Sequence, residues 1–182
     1  MIIDKAKKHF LETIGKHKDR WNLKIHIPEA EKWLDYIFKK YPEADKEILL
    51  LSVWLHDIGH YPIIEGQDHA IISEKIAKDF LEKENYDKEK AKRVLHCIRS
   101  HRNRDVKPET LEAKLMCLVD SASHFTYAPY IDAFRDGRGK EALEKLERDY
   151  KDLDLFPEIK KELTPIYQAW NNLLKSLLQL NL

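Results

Sequence analysis

The chain has 182 residues, enough for one domain with a substantial buried core. Its 32 Lys and Arg balance 32 Asp and Glu, so the formal net charge is zero, which argues against a basic field for nucleic acid or an acidic solvated tail. With 43% hydrophobic and 35% charged residues the composition excludes a disordered chain, and the apolar runs are too short for a membrane span. Met1-Ile2-Ile3-Asp4-Lys5 lacks the apolar core of a signal peptide, and Cys97 and Cys117 sit in apolar helical patterns, as reduced buried thiols do. A cytoplasmic protein is therefore expected.

Glycine is scarce and helical periodicity recurs between short breaks, with no strand pair, internal repeat or low-complexity segment. Helices are predicted at about 4–18, 27–40, 43–58, 68–84, 87–101, 109–125, 139–152 and 165–180. The first is highly charged, so His9 and His17 are expected in solvent. In the second, Pro28 suits the first turn, and the apolar stripe Ala30, Trp33 and Ile37 extends back four residues to His26. Pro42 suits the start of the third, which is apolar on every side through Ile48 to Leu51 and Val53 to Leu55 before it meets His56 and Asp57. A histidine and a carboxylate buried there would cost several kcal/mol unless paired or bound to metal.

Ile72, Ile76 and Phe80 form the stripe of the fourth helix, with His69 three residues earlier. The fifth carries Ala91, Val94 and Ile98, with His101 three residues later, while His96 lies off the stripe and is expected in solvent. Residues 102–108 read as a polar connector, where Arg99, Arg102, Arg104 and Lys107 are candidate phosphate contacts, although such a run is more often a solvated loop. In the sixth helix an apolar run from Leu115 to Val119 leads directly into Asp120, and His124, one turn on, either lines a pocket or caps the helix. Residues 127–138 read as a break. A final helix opens at Thr164-Pro165, with a stripe through Ile166, Trp170, Leu173, Leu174 and Leu177 that packs on the main bundle. Trp21, Trp33, Trp54 and Trp170 are expected in or near the core.

His26, His56, Asp57, His69, His101 and Asp120 thus all fall on inward faces. In an up-down bundle the first five share one end; Asp120, about 11 residues into its helix, does not follow from the same argument, although the 102–108 connector can span about 23 Å and carry the chain across. Imidazole and carboxylate ligands suit borderline and hard divalent cations, and a mixed set with few ligands leaves positions open to water.

A His, a His-Asp doublet and a distant Asp, each at an inward helix position, resemble the HD-domain metal-dependent phosphohydrolase superfamily. His26, His56 with Asp57, and Asp120 carry the resemblance, over roughly residues 21–126. It implies an all-α helical bundle there; with the helices read on either side, a single domain over 1–182 is expected, with extra N-terminal and C-terminal helices and a C-terminal helical section from 127 to 182. It also implies that these four residues hold one divalent ion, whether Mn, Fe, Co, Ni, Mg or Zn. In dinuclear branches two further histidines help hold a second ion, and His69 and His101 match them in order. The string His56-Asp57-Ile58-Gly59-His60 is similar to the doublet of deoxynucleoside triphosphate triphosphohydrolases, where the last histidine lies in the active site and not on the metal. Those enzymes are much longer, so only a catalytic or substrate-binding role for His60 is carried over; Arg102, from the basic run after the fifth helix, is the other candidate for such a role.

The implied activity is hydrolysis of a phosphoester, of a nucleotide or other small phosphorylated molecule, by metal-activated water. A non-catalytic metal and nucleotide-binding regulator, or a dinuclear-iron oxygenase of similar fold, are the alternatives. Neither a nucleic-acid nor a membrane partner is expected, and the sequence leaves the oligomeric state open.

Overall fold

The computed structural model describes residues 1–61, 66–127 and 129–180, which form helices and turns and include no strand. In chain order the helices are α1 (Ile2–Ile14), α2 (Leu23–Lys40), α3 (Lys46–Leu55), α4 (His69–Lys83), α5 (Lys88–Ser100), α6 (Leu111–Tyr127), α7 (Pro129–Arg135), α8 (Gly139–Asp152) and α9 (Pro157–Gln179). Short 3-10 turns follow α3, at Ile58–His60, and α8, at Leu153–Leu155. The all-α architecture is the one expected. None of these helices is long and apolar enough to cross a membrane.

Two helices without a polar face organise the core. α3 buries Ile48, Leu49, Leu51, Val53, Trp54 and Leu55, and α6 buries every residue from Leu115 to Val119. A helix apolar on all sides needs neighbours on all sides. α3 accordingly packs against α1, α2, α5 and α6, and α6 packs against α2, α3, α5, α8 and α9. Aspartates set three of the starts: Asp45, Asp68 and Asp87 accept hydrogen bonds from the first backbone N–H groups of α3, α4 and α5.

Several boundaries differ from the sequence expectation. Residues 129–135 are helical where a break was expected, with Pro129 at the first position and Gly137 at φ 77° beyond the end. Proline also misplaced two starts: α2 opens at Leu23 and α9 at Pro157, so Pro28 and Pro165 lie inside helices. Pro42 precedes α3, whose cap is Asp45. Thr164 is not a cap; its hydroxyl donates to the Lys160 carbonyl within α9.

The inward row of α2 runs through His26, Ile27, Ala30, Leu34 and Ile37, leaving Trp33 half-buried. In α9 the buried residues are Ile159, Leu163 and Leu174, while Ile166 and Leu173 face solvent. Two histidines also depart from expectation. His9 is half-buried and stacks on Phe80, and half-buried His96 accepts a hydrogen bond from the Glu109 N–H.

Candidate metal centre

α3 stops at the doublet. His56 still donates its N–H to the Ser52 carbonyl, but Asp57, at φ −108° and ψ 6°, has left the helix. The side chain of His56 turns back to Val53, where Nδ1 lies 2.8 Å from the carbonyl oxygen. His101, just past the end of α5, repeats this arrangement with the Ile98 carbonyl at 2.6 Å. His26 places Nδ1 3.2 Å from the Ser123 hydroxyl, which itself donates to the Asp120 carbonyl. With Nδ1 occupied in each ring, Nε2 is the nitrogen presented to the centre.

Those nitrogens converge on two carboxylates. His26 Nε2 and His56 Nε2 lie 3.2 Å apart, and Asp120 Oδ1 is 3.1 Å from the first and 3.3 Å from the second. Asp57 Oδ2 is 3.6 Å from both. On its other side Asp57 Oδ1 faces His69 Nε2 at 3.3 Å and His101 Nε2 at 3.7 Å, and these two nitrogens are 3.4 Å apart. Ligands each about 2.1 Å from a shared ion lie about 3–3.4 Å from one another; the His26, His56 and Asp120 atoms and the His69 contacts fall in that range, while Asp57 Oδ2 at 3.6 Å and His101 at 3.7 Å lie a few tenths of an ångström outside it. Asp57 is the only residue common to both groups.

Electrostatics favour a cation here. Burial alone would raise the pKa of Asp57, but His56 and the other histidines outweigh it and hold the carboxyl below the usual range. Asp120 is likewise held low against its burial by His124, His26 and His56. Burial pushes His26 down to about 4 and His69 to about 3, whereas at His56 the two carboxylates overcome burial and raise it to about 9. Asp57 Oδ1, moreover, is buried without a hydrogen-bond partner among the described residues. Leaving a charged acceptor so costs several kcal/mol, and a divalent ion between Oδ1, His69 and His101 would remove that cost. The donor set fits such an ion.

Two neighbouring histidines do not fit as ligands. His60 Nε2 is 3.8 Å from Asp57 Oδ1, but its ring stacks on His69 with planes 15° apart. His124 stacks on His26 with planes 10° apart. Lone pairs lie in the ring planes, so stacked parallel rings do not aim them at one ion. Instead His124 Nε2 is 3.9 Å from Asp120 Oδ1, and Nδ1 is 3.3 Å from buried Asp149, which also accepts from Tyr130 and Lys145. Asp149 was not among the residues expected at the site. Its signal was present in the i, i+4, i+7 spacing of Ala142, Leu146 and Asp149, all buried on α8.

Above the two groups opens a cleft of about 730 Å³. Its lining includes the cations Arg102, Arg104, Lys107, Lys145, Arg148 and Lys151, alongside the carboxylates Asp149, Asp152 and Asp154. Arg102 pairs with Asp68, the cap of α4, and so ties the cleft to the start of the helix that carries His69. Arg104 forms no ion pair among the described residues. Arg99 pairs with Glu74 and Asp105 and does not line the cleft. Asp152 is raised to about 6 by burial and by Asp120 and Asp149.

A family model of the HD domain matches residues 23–123, which contain all four residues of the His, His-Asp, Asp pattern. The chain belongs to the HD-domain family. Neither the curated proteins nor the solved structures gave a match. HD-domain proteins are metal-dependent hydrolases, and this one brings His26, His56 and Asp57 within ligand distance of one another, and Asp57, His69 and His101 likewise. His26, Asp120 and His124 form a third close group. The ring stacking just described makes His124 a neighbour of Asp120 in that group and not a ligand.

Proposed function

We propose that this HD-domain protein is a metal-dependent phosphohydrolase that cleaves a phosphoester of a nucleotide or another small phosphorylated molecule. In this reading His26, His56, Asp57 and Asp120 hold one divalent ion, and Asp57, His69 and His101 hold a second. The supporting observation is Asp57, whose Oδ2 lies 3.6 Å from each histidine of the first group while its unpartnered Oδ1 lies 3.3 Å from His69. When bound, such ions supply a water of near-neutral pKa and polarise a phosphoryl oxygen.

The chain's own residues do the rest. Asp57 fixes the separation of the two groups. The backbone carbonyls of Val53 and Ile98 hold the rings of His56 and His101 in register. His60 lies beside Asp57 without the orientation of a ligand, and there it can pass a proton or contact phosphate. Arg102 and Arg104 oppose the charge on the non-reacting phosphoryl oxygens, in a cleft where such interactions exceed their value in bulk water. No Ser or Cys nucleophile is required, and both cysteines are buried, with thiols pushed upward by desolvation.

The expected result is phosphate release from a panel of nucleotides and small phosphoesters after loading with Mn, Fe, Co, Ni, Mg or Zn. That release should be abolished by chelator and restored by metal. Tight nucleotide binding with no release under any metal would establish a regulator instead. Oxygen uptake by a reduced iron form without hydrolysis would establish an oxygenase.

A further inference from the structure

Trp21 was expected in or near the core, yet it is 46% exposed and lines the cleft. The loop that carries it is fixed by hydrogen bonds on both sides of the ring. The buried hydroxyl of Tyr61 donates to the Lys18 carbonyl at 3.0 Å and accepts from the Arg20 N–H at 2.7 Å. Asp19 accepts from the N–H groups of Leu23 and Lys24 at 3.0 and 2.9 Å. Asn22 occupies the left-handed region at φ 54°, and its amide donates to Asp132 at 3.0 Å. The residues on both sides of Trp21 are thus fastened, and the partly exposed ring is kept at the cleft.

The position of the ring is also specific. Trp21 leans on His60, with centroids 4.7 Å apart and planes at 32°, and His60 Nε2 is 3.8 Å from Asp57 Oδ1. One residue therefore separates the indole from the centre of the two histidine groups. A group resting on the exposed indole would lie next to a phosphate at Asp57, where the alcohol part of a phosphoester must go.

We propose that Trp21 determines specificity: its exposed surface is the platform on which a flat aromatic ring, carried by the alcohol of the substrate, stacks. The ligand class is a phosphoester of a ring-bearing alcohol such as a nucleoside, as opposed to a phosphate of an open-chain polyol. The proposal rests on the phosphohydrolase reading. It goes beyond it in naming what the site recognises besides phosphate. Stacking is tolerant of the ring's hydrogen-bonding pattern.

The test uses the metal-replete protein with Trp21→Ala and Trp21→Phe. The ratio of kcat/KM for adenosine 5′-monophosphate to that for glycerol 3-phosphate should fall about tenfold in Trp21→Ala, equivalent to about 1.4 kcal/mol, and largely recover in Trp21→Phe. Adenosine alone, followed by equilibrium dialysis, should bind about tenfold more weakly to Trp21→Ala, with or without metal. An unchanged ratio together with unchanged adenosine binding overturns the platform, as does a wild-type protein that does not bind adenosine. Trp21-dependent binding of adenosine by a protein that releases no phosphate from any ester overturns the phosphohydrolase reading and leaves the platform standing. Trp21→Phe keeps a ring in place, so a folding defect confined to Trp21→Ala does not blunt the test.

Discussion

Asp57→Asn is expected to reduce the bound metal from two ions per chain to fewer than one and to lower kcat/KM by about 1000-fold or more, equivalent to about 4 kcal/mol. The substitution keeps the side-chain volume and removes the charge. One amide oxygen then faces four imidazoles that the carboxylate served with two oxygens, at 3.3 to 3.7 Å. Both groups lose an anionic donor at once, which no other single substitution in the centre does. His69→Ala should remove the second ion alone, so the two variants together separate a shared ligand from a private one. Metal content after saturation and gel filtration gives the result. Two ions retained by Asp57→Asn would show that the carboxylate does not bridge.

The second large effect is expected at a residue with no side chain. The 3-10 turn after the doublet packs directly on α4, and a Cβ at Gly59 would lie 2.4 Å from the His69 carbonyl oxygen and 2.4 Å from the Ser73 backbone nitrogen. Neither backbone atom can rotate away. The Gly59 N–H also donates to the Ser73 hydroxyl at 2.8 Å, so the close approach is bonded as well as tight. Gly59→Ala must therefore push α4 away from the doublet, at about 3 kcal/mol of stability. For a chain of this size that corresponds to a fall in Tm of roughly 6–12 °C. Because α4 begins at His69, affinity for the second ion should fall more than affinity for the first. Thermal unfolding and metal titration of the variant measure both, and a Tm within 2 °C of wild type would contradict the packing argument.

The sequence revealed the fold where polar residues interrupt apolar helices. His26, His56, Asp57, His69 and His101 were found by extending inward stripes, and all five meet in one centre. Asp120 lay on an inward face too, but its depth in α6 did not follow from loop lengths. It reaches His26, in the first turn of α2, because α6 packs against α2. The errors have physical causes. A proline alone did not locate the starts: Asp45, after Pro42, accepts from the first N–H groups of α3, Asp19 accepts from those of α2, and α9 begins at an earlier proline, Pro157. A short helix such as α7 has too few turns for periodicity to show. Trp21 was misjudged because hydrophobicity predicts burial, whereas the loop around it is held by Tyr61, 40 positions further on. No local pattern contains that contact.

Anomalous diffraction from a manganese-saturated crystal tests whether Asp57 stands between two ions. Two peaks are expected, one among His26, His56, Asp120 and Asp57 Oδ2, the other among His69, His101 and Asp57 Oδ1. A single peak at full saturation, or a second ion held away from Asp57, would contradict that placement.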